Sequence, residues 1–109
     1  MFKAGYKIKK YISEYKEMLQ TLGINIEKVI LYGSFVRGKE RKDSDIDVAV
    51  ISNDFKKMNL RERLEVLGIA AARIMKPIEA KGYTSKEFNV KNKLDFLSEI
   101  KRTGKVIYL

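Results

Sequence analysis

The sequence predicts a small α/β (α+β) domain, one β-sheet with helices packed on one of its faces. Three observations carry that expectation. Segments of strand length, apolar runs at Val29 to Tyr32 and Ile46 to Ile51 and a short alternating stretch at Ile78 to Tyr83, are interleaved with segments whose apolar residues recur at helical spacing. A Gly33-Ser34 turn cuts the first run off abruptly, and the second begins among acids. The chain has 109 residues and is 45% hydrophobic, enough for a single core and one domain spanning 1–109.

Taken in order, residues 3–22 place Ile8, Tyr11, Ile12, Tyr15, Met18, Leu19 and Leu22 at i, i+3, i+4, i+7 spacing, with Gly23 as the C-terminal cap. The tyrosines of this helix read as core-facing amphipaths rather than a platform for stacking bases. Ile24 to Tyr32 supplies the first strand, and Ile46 to Ile51 the second. A loop from Ser52 leads to Asn59 and Glu62, a capping box that opens a helix over about 60–76. Its expected buried stripe is Leu60, Leu64, Leu67, Ala71, Ile74 and Met75, with Gly68 allowing close packing on the sheet and Pro77 ending the helix. In the third strand Ile78 and Ala80 face one side, Glu79 and Lys81 the other. Thr84 and Glu87 form a second capping box for a helix of about one turn. A last helix over about 93–103 carries Leu94, Leu97 and Ile100, with Phe96 flanking, and stops at Gly104; residues 105–109 follow as an edge strand or an apolar tail.

Composition excludes several chemistries. The chain has no cysteine and no histidine, so thiolate metal sites, disulfides, histidine-assisted serine nucleophiles and histidine phosphotransfer are out. No apolar run reaches the length of a membrane span, and the N-terminus lacks the pattern of a signal peptide, so a cytoplasmic protein with no membrane partner is expected. The formal charge of +9 suits polyanions: a nucleoside triphosphate, RNA or an acidic protein surface. The same richness in Lys, Glu and Ile also suits a heat-adapted, thermophile surface that binds nothing.

The chemistry concentrates in Gly33 to Asp47. Gly33 lets the backbone turn sharply and approach a ligand closely. Ser34 then opens a helical turn whose free N–H groups and hydroxyl can hold a phosphate. Asp45 and Asp47 stand two apart in a β pattern, so both carboxylates share one strand face, and a hard divalent cation would relieve their repulsion. Arg37 lies within the turn after Ser34, on the phosphate side. Lys39, Arg41 and Lys42 belong to a charged loop that would steer a triphosphate or simply connect two strands, and Asp43 reads as a turn residue. Glu79, on a later strand with parity opposite to its apolar neighbours, is the candidate third carboxylate.

Gly33-Ser34, the ten residues Phe35 to Ser44 and then Asp45-Ile46-Asp47 resemble the signature of the DNA polymerase β-like nucleotidyltransferase superfamily. Arg37-Gly38 and the short chain resemble its minimal nucleotidyltransferases. The resemblance implies a mixed sheet with the active site on the face and end bearing Asp45 and Asp47. It implies two magnesium ions held by Asp45, Asp47 and Glu79, with ATP as substrate on Gly33, Ser34 and Arg37. The family often has aspartate where Glu79 stands, a longer arm that alters the metal geometry. It further implies transfer of AMP to a hydroxyl, a tyrosine of a HEPN-domain ribonuclease toxin, with this chain as the antitoxin. The chain ends soon after Glu79, so a partner is expected to supply the acceptor platform, with residues 105–109 as part of that contact. Two alternatives stand beside it: a binding module that neutralises its partner by occlusion without catalysis, and an RNA-directed nucleotidyltransferase whose basic surface holds the acceptor.

Overall fold

The computed structural model describes residues 5–37, 45–89 and 96–107, without the side chains of Arg37 and Phe96. The charged loop with Lys39, Arg41, Lys42 and Asp43, as well as Leu94, lies outside the described residues. The first helix, α1 (Tyr6–Thr21), ends as expected: Gly23 takes φ +92°, its N–H donates to Gln20, and the Ile24 N–H donates to Leu19 at 2.9 Å. These two hydrogen bonds cap the last carbonyls and fold Ile24 back onto the core beside Leu19. Ile24 is thereby spent on the turn, so β1 is shorter than its apolar run and covers Lys28–Tyr32.

After β1 come the single turn α2 (Ser34–Arg37), β2 (Ile46–Ile51) and a 3₁₀ segment at Asn53–Lys57. Then follow α3 (Leu60–Ile74), β3 (Ile78–Tyr83), the one-turn α4 (Ser85–Phe88), α5 (Phe96–Thr103) and β4 (Lys105–Ile107). Both expected capping boxes form, at Asn59/Glu62 and Thr84/Glu87. The sheet is mixed, in the order β3-β2-β1-β4: β1 is antiparallel to β2 and β4, while β2 and β3 run parallel. Residues 105–107 therefore form the edge strand anticipated for the chain's end.

Strand alternation sorts the side chains to two faces. Val29, Leu31, Val48, Val50 and Ile78 face α1 and α3, where Ile12, Tyr15, Leu19, Leu67 and Ala70 complete the main core. The two long helices thus share one face, as expected. Ile30, Tyr32, Ala49 and Ile51 face the other way, where Phe88 and Ile100 of the short α4 and α5 cover part of the surface. The Tyr15 hydroxyl donates to the Leu67 carbonyl at 2.8 Å, tying α1 to α3, and its burial pushes the phenol well above the ordinary tyrosine range. Tyr15 is core, as its spacing indicated. Tyr11 is half-buried beneath the Lys76 ammonium, and Tyr6 is exposed.

The buried stripe of α3 differs from the expected one. Leu67 is buried, and Ala71 and Ile74 pack against the core, but Leu60, Leu64 and Met75 are exposed. Arg63, Val66 and Ala70 take the inner positions instead. The reason is Arg63. Its guanidinium donates to the carbonyls of Met58, Phe55 and Gly82 and to both oxygens of Glu87, and it lies over the Phe55 ring. Such a fork satisfies several main-chain acceptors at once, and it turns the helix so that the leucines on either side of Arg63 point outward. Gly68 is likewise exposed, with nothing within 4 Å of where a Cβ would stand, so it does not serve close packing on the sheet.

Two measurements check this packing. Gly68→Ala adds a methyl in open space and removes a mid-helix glycine, so it should stabilise the chain by about 0.5–1 kcal/mol in urea unfolding. The Arg63 hydrogen bonds hold the Glu87 carboxyl below its ordinary value, so its contribution is present above the unfolded pKa and lost as pH falls through the lower folded value. Glu87 is partly solvated, so Glu87→Gln should cost only about 1 kcal/mol at neutral pH, and the variant should lose less stability on acidification than the wild type.

Candidate active site

Register decides which side chains meet. Tyr32 of β1 pairs with Asp47 of β2, and Asp47 pairs with Glu79 of β3. Directly paired residues point to the same face, so a phenol and two carboxylates form one row across three strands. Glu79 and Lys81 share that face, while Ile78 and Ala80 turn to the main core, as their alternation indicated. The row lines a cavity of about 370 Å³. Gly33 and Val36 wall it at the turn between β1 and α2, Lys81 at the β3 side, and Glu99, Ile100 and Thr103 of α5 from above.

Gly33 has φ +78°, a conformation that side-chain-bearing residues rarely adopt, and a Cβ there would collide with the Asp47 carboxylate. The turn and the acid are thus built against each other. Ser34 follows as the first residue of α2 and is half-buried; Arg37 is the last residue of that turn. Asp45 is exposed and stands just before β2, two residues from Asp47. Among the sequence candidates, the fold gathers Gly33, Asp47 and Glu79 around one cavity, with Ser34 and Asp45 adjacent in the chain.

Burial is the largest influence on the Tyr32 phenol, followed by the negative charges of Asp47 and, more weakly, Tyr83 and Glu79; together they push it far above its ordinary range. Tyr32 is therefore a permanent O–H group, able to donate but not to act as base near neutrality. It was missed in the sequence although it directly precedes Gly33, because it reads simply as the last residue of an apolar strand. Lys81 is the same-face neighbour of Glu79 and was visible as such. Glu99 and Thr103 had no signal, since nothing local says that α5 lies over the acids.

The donor set is all oxygen, which suits a hard divalent cation and not a soft one. Among the described residues no group of three acidic side chains is already drawn close enough to hold a metal. Asp47 and Glu79 are the pair that the register sets side by side, and Asp45 is the next carboxylate along the chain.

Residues 6–109 match the family profile described as "Polymerase beta, Nucleotidyltransferase". The chain belongs to this polymerase β nucleotidyltransferase family. Solved structures agree on the fold. One, described as a toxin-antitoxin with AMP-PNP, is 18% identical with a TM-score of 0.62, over 92% of this chain and 72% of that one. Another, a candidate nucleotidyltransferase from Sulfolobus solfataricus, is 20% identical with a TM-score of 0.53, over 97% and 89%. No functionally curated protein matches the chain. Among the described residues, no helix of this nucleotidyltransferase domain is long and apolar enough to cross a membrane.

Because the turn and Asp47 are in contact, Gly33→Ala should strain the backbone and displace the carboxylate together. The expected result is a loss of about 1–2 kcal/mol in urea unfolding.

Proposed function

We propose that this chain is a magnesium-dependent nucleotidyltransferase that moves AMP from ATP to a hydroxyl, a tyrosine of a HEPN-domain toxin, and so acts as an antitoxin. The observation that carries this reading is the register row that sets Asp47 beside Glu79, against the Gly33 turn. Family membership supports nucleotidyl transfer, and the likeness to a toxin-antitoxin structure holding AMP-PNP supports both the partner and an adenine nucleotide.

In this reaction the acceptor oxygen bonds to the α-phosphorus as the bond from that phosphorus to the β-phosphate bridging oxygen breaks. Pyrophosphate leaves with the bonding pair, and Glu79 accepts the acceptor's proton. Asp45, Asp47 and Glu79 would hold the magnesium ions. When bound, these supply charge neutralisation on the triphosphate and a lowered pKa for the attacking hydroxyl. The Gly33-Ser34 turn offers main-chain N–H groups and a hydroxyl to the phosphates, and Arg37 follows on the same turn. Tyr32 stays protonated beside Asp47, at the β1 end of the row. The protein's contribution is position and charge, not a covalent intermediate.

A second reading is neutralisation by occlusion alone, favoured by the absence of a ready-made trio of metal ligands among the described residues. The two separate cleanly. Co-expression with the partner should raise the partner's intact mass by one or more AMP units with wild type and not with Asp45→Asn/Asp47→Asn. Asp47→Asn alone should abolish magnesium-dependent transfer, by more than about a hundredfold, while the fold stays intact, because the side chain keeps its volume and the core stays filled. A stable complex with both forms and no added mass would establish the occluding antitoxin; labelling of RNA instead would establish the RNA-directed enzyme.

A further inference from the structure

A second cavity, of about 310 Å³, lies on the outer edge of the sheet, where β3 has no neighbouring strand among the described residues. The first turns of α3 contribute Leu60 and Leu64, and β3 contributes Gly82 and Tyr83. The two leucines are one helical turn apart and are 72% and 48% exposed, apolar side chains that the chain's own core leaves in water. Arg63 also lines this groove, but its donors are taken by the Phe55, Met58 and Gly82 carbonyls and by Glu87.

Lys81 lines both this groove and the candidate active site. The two cavities therefore share Lys81 as a wall residue, on the same strand face as Glu79. On the opposite side the site is lined by Tyr32 and by Ile100 of α5, and at its turn end by Gly33. Glu79, by contrast, is exposed and stands on the edge strand itself. An acceptor hydroxyl bound for Glu79 thus approaches over the β3 edge, along the groove.

The geometry points to an acceptor-docking groove: the β3 edge seats an extended, acidic, tyrosine-bearing polypeptide segment, with an apolar side chain between Leu60, Leu64 and Tyr83 and the hydroxyl delivered past Lys81. This rests on the transferase reading of the neighbouring site. The apolar wall selects a polypeptide over RNA, since a sugar-phosphate chain would meet two leucines and an arginine whose charge is already paired. The open strand edge can hydrogen-bond an extended main chain. The formal charge of +9 favours acidic neighbours around the tyrosine.

A fluorescein-labelled random Glu–Tyr copolymer serves as probe, its binding read by anisotropy without ATP in roughly 0.3 M salt to screen non-specific attraction. Wild type should bind saturably. Leu60→Ser/Leu64→Ser, which changes no charge at exposed positions, should bind about tenfold more weakly, and Leu60→Met/Leu64→Met should restore binding. No saturable binding by wild type, or equal binding by the serine variant, overturns the groove. So does oligouridylate binding that depends on the same leucines, which would make the occupant RNA. Labelling from α-³²P-ATP is measured separately. Leucine-dependent binding without labelling leaves the groove and removes the transferase reading, whereas labelling of the copolymer indifferent to the leucines does the reverse.

Discussion

The parallel pairing of β2 with β3 is the constraint on which the site depends. In its register Asp47 stands opposite Glu79, and the antiparallel pairing on the other side sets Tyr32 opposite Asp47. The main core enforces that register. Ile78 and Ala80 must turn toward α1 and α3, so Glu79 and Lys81 must turn away from them. A slip of one residue would bury Glu79 among Val48, Val50 and Leu67 and expose Ile78. The hydrophobic pattern that holds the sheet together therefore also sets two carboxylates side by side. Side by side on one face, these carboxylates make an all-oxygen donor pair.

The strand that carries Glu79 has a second difficulty, because among the described residues one side of its ladder has no partner strand. Here Arg63 compensates. It bonds the Gly82 carbonyl within β3, the Phe55 and Met58 carbonyls of the segment leading into α3, and Glu87 of α4 just beyond the strand. Glu87 in turn accepts the Thr84 N–H at the end of the strand. Beside its pairing with β2, the strand is thus held at its C-terminal end by a charge-assisted network. The same inward turn of Arg63 leaves Leu60 and Leu64 facing outward beside β3, so the clamp and the edge groove have one cause.

Much of this was legible in the chain. The Gly33-Ser34 turn, the spacing to Asp45 and Asp47, the parity of Glu79 and Lys81, the Gly23 cap and both capping boxes depend on residues within a few positions of one another, and local stereochemistry settles them. The face of α3 was not legible. Its sequence is apolar over more than one face, and periodicity alone ranked Leu60, Leu64 and Met75 as core because a charged residue ranks low for burial. Arg63 turns inward nonetheless and is half-buried, since three carbonyls and a carboxylate brought from elsewhere satisfy its donors. The first strand was drawn too long for a related reason: Ile24 is apolar enough for a strand, but the Gly23 turn claims its N–H.

Sequence by itself determined the family signature, the order of helices and strands, and which side of each strand carries acids. These rest on side-chain alternation and on glycine and proline stereochemistry, which act over a turn or two. Only the tertiary structure decided that β3 lies parallel beside β2, that Tyr32 stands beside Asp47, and that α5 brings Glu99 and Thr103 to the same cavity. Those juxtapositions join residues far apart in the chain. They are chosen by how whole apolar faces pack together, which no local window of sequence contains.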